Sequence, residues 1–275
     1  MLCSGRFSGR NPLEVKIMVF KLLKYDFKSM LRVFIPLWLA LLAVSAINHF
    51  SVSATSSYAD SLIWDMKAIA MLVFFGLIIA AGVLTAVLVI QRFYLGLLKD
   101  EGYLMFTLPV KPWQLLTSKV VSALVVCALS LGVGVLSVMI LGYQMEDYQR
   151  MFSGLGTTIQ TYPESFIALL VLGLAYAFAA ITQIYVSLAL GHLANRHRIA
   201  WAVGVYIAIQ TVLSWVFTNS WDPLRVMLWG TSYPVFLDVG RFNQFLWIMA
   251  GIYLVLGGIF FLVTERILSK KLNLE

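Results

Sequence analysis

The sequence predicts an all-α integral membrane protein. It should have six transmembrane helices, an amphipathic interfacial helix before the first, and a short cytoplasmic helix between spans two and three. Three observations carry this. Of 275 residues, 61% are hydrophobic and 12% charged, against about 25% charged in an ordinary soluble domain. Six apolar stretches reach or approach the roughly 20 residues that a spanning helix needs. Lys and Arg are shared unequally between alternate connections, as expected when one side of the membrane is cytoplasmic.

The predicted spans are about 33–50, 68–90, 120–143, 165–191, 199–217 and 243–264, and none has Lys, Arg, Asp or Glu in its middle. The first is short and contains Pro36, and the fourth is long enough to tilt or bend. Six crossings put both termini on one side. With the N-terminus cytoplasmic, 16 of the 20 Lys and Arg fall inside, leaving only Lys67, Arg150, Arg225 and Arg241 outside. The acids do not follow this pattern, in keeping with a rule that counts basic residues. The expected location is the cell (plasma) membrane, multi-pass, with both termini cytoplasmic. The net charge of +7 then belongs at the lipid surface and calls for no nucleic-acid partner. AVSA at 43–46 has the small-x-small pattern of a cleavage site. The stretch before it is longer than a usual signal n-region, so the first span is expected to stay uncleaved.

Residues 1–17 lack periodicity and are rich in Gly, Arg and Ser. They are expected to be a disordered tail, with a plausible start at Met18 and a single six-helix transmembrane domain over 18–275. In 18–32, Phe20, Leu23, Phe27, Met30 and Leu31 recur at helical spacing, with Lys21, Lys24, Lys28 and Arg32 on a neighbouring stripe. A helix lying in the inner interface, its lysines reaching lipid phosphates, has this pattern. A cytoplasmic extension of the first span is the plainer alternative. Residues 144–164 are a polar, mildly acidic outer loop. Residues 218–242 hold Trp221, Trp229, Tyr233 and Phe236, broken by Pro223, Gly230 and Pro234. They fit either short helices dipping into the outer leaflet or a loop with aromatic anchors.

Several chemistries find no support in the sequence. There is no G-x-x-x-x-G-K-[ST], so the chain is expected not to hydrolyse ATP and not to be an enzyme. His192 and His197 flank HLANRH five residues apart, a poor metal spacing read as a solvated loop. No metal or cofactor is expected. Cys3 and Cys127 are too few for a disulfide framework. His49 sits beside Asn48 at the outer end of the first span, with no partner evident in the sequence. No acid lies within a span, which argues against a proton-coupled transporter. The polar residues inside spans include Thr182, Gln183, Tyr185 and Ser187 in the fourth, and Gln210 and Ser214 in the fifth. Such groups bond between helices or line a substrate path, for which Thr182, Gln183, Tyr185, Gln210 and Ser214 are the candidates. Ala128, Gly132 and Gly134 give the third span a small-residue face suited to close packing.

The connection DEGYLMFTLPVKPWQLLTSK, residues 100–119, is the most distinctive segment. Asp100 is a good N-cap, and Glu101 suits the positive first turn. Tyr103 to Thr107 continue a short helix, which Pro109 ends by disfavouring helical geometry at Leu108. Pro112 then suits the first turn of a new helix entering the third span. The apolar face of Tyr103, Leu104 and Phe106 needs cover, from lipid as an anchor or from a partner as a docking knob.

The order acid–Gly–short apolar helix–Thr–Leu–Pro–Val–spacer–Leu–Leu–spacer–Lys resembles the loop between spans two and three of ABC type-2 exporter permeases. It is carried here by Glu101, Gly102, Thr107, Leu108, Pro109, Val110, Leu115, Leu116 and Lys119. The run DEGYLMFTLPV is similar to a subgroup common in Gram-positive anaerobes, and the likeness covers most of the chain from Met18 onward. The resemblance implies that this loop is a coupling helix seated in a groove of a separate P-loop ATPase. It implies a dimer of permeases, identical or related, with two ATPases. Asp100, Glu101, Gly102, Tyr103, Leu104 and Phe106 would dock, Pro109 would fix the angle, and Lys119 would anchor the inner end of span three. The direction implied is export. Apolar spans without buried charge favour an amphiphile such as a lipid, peptide antibiotic or drug. A non-transport scaffold or receptor anchoring a cytoplasmic partner needs the same knob but no substrate cavity.

Overall fold

In lipid every backbone polar group must be satisfied within the protein, so an apolar chain of this kind becomes helix. The computed structural model describes residues 12–53, 61–95, 112–142, 146–194, 197–229 and 239–270. These form seven helices: α1 Pro12–Ser53, α2 Ser61–Phe93, α3 Pro112–Gly142, α4 Glu146–Thr161, α5 Pro163–His192, α6 Arg198–Trp229 and α7 Val239–Lys270. All except α4 are long and apolar enough to cross a membrane, with mean hydropathy over the spans from 1.7 to 2.8.

The six expected spans are present, and each lies in a helix longer than its apolar stretch. The stretch expected at 165–191, for example, lies in a span of Pro163–His192. Counting apolar residues stops at the first charge. A helix continues past it, because each further residue adds an intrahelical hydrogen bond. The separate helix expected at 18–32 is instead continuous with the first span. At 1.5 Å per residue α1 is about 63 Å long, about twice the ~30 Å hydrocarbon layer. Lys24, Lys28 and Arg32 are exposed while Met30 and Phe34 are buried, so the two sequence stripes do separate into a charged face and a packed one. The disordered tail expected over 1–17 is shortened, since 12–17 belong to α1; the rest of it lies outside the described residues. The connection 144–164, expected to be a polar outer loop, is mostly helix, as α4. The aromatic segment 218–242 begins as the end of α6, which runs through Pro223 to Trp229. Residues 230–238, with Tyr233, Pro234 and Phe236, lie outside the described residues, and 239–242 open α7.

The helices gather into two compact units. One holds α1, most of α2 and α3, and α4. Its core is Leu41, Phe74 and Leu141, flanked by Val44, Met71, Leu77, Ile78, Val133 and Val138. Polar side chains cross-link it. Trp38 Nε1 donates to Ser130 Oγ at 3.3 Å, Ser45 Oγ donates to the Ser137 carbonyl, and Asn48 Nδ2 donates to the Ala70 carbonyl at 3.0 Å. Asn48 is therefore an α1–α2 tie.

The other unit holds the end of α2 from Ile90, the start of α3 to Val120, and α5, α6 and α7. Here α5 is central and packs on both α6 and α7. Two glycines set the distances. A Cβ on Gly191 would lie 2.5 Å from the Ala202 nitrogen, and one on Gly257 would lie 2.5 Å from the Phe178 ring. By contrast, a Cβ on Gly132 or Gly134 would meet nothing within 4 Å, and Ala128 is exposed. The small-residue face expected to pack is open, and the tight approaches are made by glycines of α5 and α7.

Candidate functional site

Asp100, Glu101, Gly102, Tyr103, Leu104, Phe106 and Pro109 lie outside the described residues. The helix ends on either side of them do not. α2 closes with Val89 and Phe93, both buried, and continues as a wider π-helical turn at Tyr94 and Leu95. On the far side α3 opens at Pro112, the position that proline chemistry favours. Leu115 and Leu116 are buried, Trp113 is exposed, and the buried run continues through Ser118, Lys119 and Val120.

One side chain meets both ends. Tyr185, about two turns before the end of α5, is 2% exposed. Its ring stacks on Phe93, with centroids 4.0 Å apart and planes 11° from parallel. Its hydroxyl donates to the Lys119 carbonyl at 3.4 Å. An aromatic body with a polar tip suits this place, since the ring fills apolar space while the hydroxyl satisfies a buried acceptor. The two feet of the 96–111 connection therefore rest on a single residue of α5. Lys119, itself 4% exposed, contributes its backbone to this contact.

A second layer lies beside it. Tyr94 meets His192 edge-on, with ring centroids 6.3 Å apart. Arg198 Nη1 donates toward His192 Nε2 at 3.4 Å. His197 adopts φ 54°, and its carbonyl accepts from the Trp201 amide at 3.1 Å, closing the first turn of α6. Left-handed backbone is costly for a residue with a Cβ, and His197 adopts it directly before α6. His192 is thus packed and bonded where a solvated loop is expected, while His197 is exposed. Among the described residues no three His, Cys, Asp or Glu side chains converge as metal ligands would.

The five substrate-path candidates divide. Thr182 is 1% exposed, and its hydroxyl donates to the Phe178 and Ala179 carbonyls of its own helix. Tyr185 is spent on Phe93 and Lys119. Gln183 is buried and its Nε2 donates to Gln210 Oε1 at 3.1 Å, tying α5 to α6. Gln210 and Ser214 are exposed, and Thr211 and Thr218 lie near them on the same side of α6, also exposed. Gln210 accepts from Gln183 and Thr211 donates to the Ile207 carbonyl at 2.8 Å, yet the four together place polar groups on an exposed stripe of a span. Sequence reasoning missed Phe93 as a foot of the connection and Gly191 and Gly257 as contact points.

No family model, no curated protein and no solved structure matches the chain.

Proposed function

We propose that this chain is the membrane-spanning permease subunit of an ABC exporter. It would work as a dimer of permeases powered by separate P-loop ATPases, moving an amphiphile out of the cell. The observation that carries this reading is the double contact of Tyr185. A load applied to the 100–108 segment by a docked ATPase reaches Phe93 and Lys119, and both bear on α5. From there Gly191 against Ala202 and Gly257 against Phe178 pass it to α6 and α7. Closely packed helices shift as units and do not deform smoothly, so a small internal knob can move three crossings. The exposed stripe of Gln210, Thr211, Ser214 and Thr218 favours transport over a scaffold, because a scaffold has no use for polar groups facing hydrocarbon. The loop motif with Gly102, Pro109 and Lys119 supports the family assignment.

The Tyr103→Ala/Phe106→Ala double variant tests the docking step. It should abolish co-purification of a P-loop ATPase while insertion of the chain stays intact; unchanged co-purification refutes docking. Labelling of Met105 from the cell exterior would overturn the topology. ATPase turnover stimulated by an exported amphiphile in the reconstituted complex separates the exporter from a scaffold, for which turnover stays flat.

A further inference from the structure

Helix α4, Glu146–Thr161, is the one described helix too polar to cross the membrane, yet it is tied to it at both ends. Three residues separate it from the close of α3, and only Tyr162 separates it from Pro163 of α5. Its sequence, EDYQRMFSGLGTTIQT, is two-sided. At 100° per residue, positions 148, 151, 152, 155 and 159 share one arc, and all are apolar or aromatic. Every other position is polar or glycine. Leu155 and Ile159 are 47% and 38% exposed. A Cβ on Gly154 or Gly156, which flank the arc, would meet nothing within 4 Å.

The polar face is unusual in two ways. After Arg150 it carries no charge at all. Its hydroxyls are also turned back onto the helix. Ser153 donates to the Arg150 carbonyl at 2.9 Å, Thr157 and Thr158 to the Gly154 carbonyl at 2.8 and 2.7 Å, and Thr161 to the Thr157 carbonyl at 2.7 Å. Such a face asks little of bulk water and offers little to charged headgroups. In water, a 16-residue helix with two internal glycines and three threonines is a poor isolated helix. It needs a surface for its apolar arc.

We infer that α4 lies in the membrane–water interface with Phe152, Leu155 and Ile159 inserted among the acyl chains. Insertion is driven by apolar area and by gaps in headgroup packing, and anionic lipid is not required. A helix held by lysines would depend on anionic lipid. This one has no lysine and a single arginine, so its hold comes from the apolar side. The inference rests on the membrane spans alone and stands whatever the chain transports.

The test uses the full chain in phosphatidylcholine vesicles, with Cys3→Ser and Cys127→Ala removing the native thiols. Leu155→Cys, Ile159→Cys and Thr157→Cys are then made singly and labelled with an environment-sensitive fluorophore. At 155 and 159 the emission should be blue-shifted, quenched by brominated lipid, and several-fold less quenched by iodide than at 157. Replacing part of the lipid with phosphatidylglycerol should leave these values unchanged. Equal iodide quenching at all three positions overturns the proposal. So does protection from both quenchers at 155 and 159, which would place protein over that face. A blue shift that appears only with anionic lipid also overturns it.

Discussion

Helices α5 and α6 carry the same kinds of polar residue into the membrane and treat them in opposite ways. In α5 Thr182, Gln183 and Ser187 are buried, and the hydroxyls of Thr182 and Ser187 donate to carbonyls of their own helix. In α6 Gln210, Thr211, Ser214 and Thr218 are exposed. Of the most apolar stretch of α5, 28% is buried, against 6% for α6. The mean hydropathies, 2.2 and 1.7, do not foretell so large a difference. What separates the two helices is position. α5 packs on two neighbours and also receives the feet of the 96–111 connection through Tyr185. α6 leans on α5 at Gly191 and at Gln183, touches α7 through Trp221 on Phe245, and leaves most of its surface outward. One helix is built to bear load and the other to present a surface.

The largest effect that would break this contrast comes from Tyr185. Tyr185→Ala removes a fully buried ring and should cost about 3–5 kcal/mol, the range for large aromatic truncations. Tyr185→Phe keeps the stack on Phe93 and loses one long hydrogen bond, costing about 1 kcal/mol or less. Unfolding of the purified protein in graded detergent denaturant reads both. If the two variants were equally harmful, the hydroxyl contact and not the ring would carry α5. Next comes Gly191→Ala. The new methyl meets backbone of α6, which cannot swing aside as a flexible side chain would, so overpacking should cost about 1–3 kcal/mol. Ala at Gly132, facing open space, should be neutral or slightly stabilising through helix propensity. Thermal unfolding of the pair checks this directly. The smallest effect is that of the Gln183–Gln210 tie. A double-mutant cycle with Leu at each position should give a coupling near ~0.6 kcal/mol, typical of hydrogen bonds between membrane helices. Ser214→Leu alone should leave stability unchanged. A coupling of several kcal/mol would make α6 a core helix like α5 and erase the contrast.

Much of this architecture was legible beforehand, and particular residues show where legibility ended. Pro112 marked the start of α3 because its missing amide and preset φ suit only a first turn. The stripes of α1 were readable because Lys24, Lys28 and Arg32 cannot face a packed core. The boundary placed at residue 32 was not, since nothing in a helical hydrogen-bond ladder forces a break there. The connection 144–164 read as a loop because it is polar and mildly acidic, and its Gly and Thr content is also poor for helix. Its apolar arc outweighs that weak propensity once a surface is available. Ala128, Gly132 and Gly134 looked like a packing face, whereas Gly191 and Gly257 are the residues in close contact. Small residues permit close approach without demanding it.

The sequence by itself determined that there are six crossings, roughly where each lies and which segments are too polar to cross. Those answers follow from a one-dimensional constraint, a run of apolar residues long enough to span hydrocarbon with every backbone group bonded inside its own helix. Only the tertiary structure decided which helix is central, which glycines are touched, and that Tyr185 meets both Phe93 and Lys119. The physical reason is that acyl chains are as apolar as a protein interior. A leucine facing lipid and one facing a neighbouring helix look the same in the sequence, so the pattern that separates inside from outside in a soluble protein is largely lost within the bilayer.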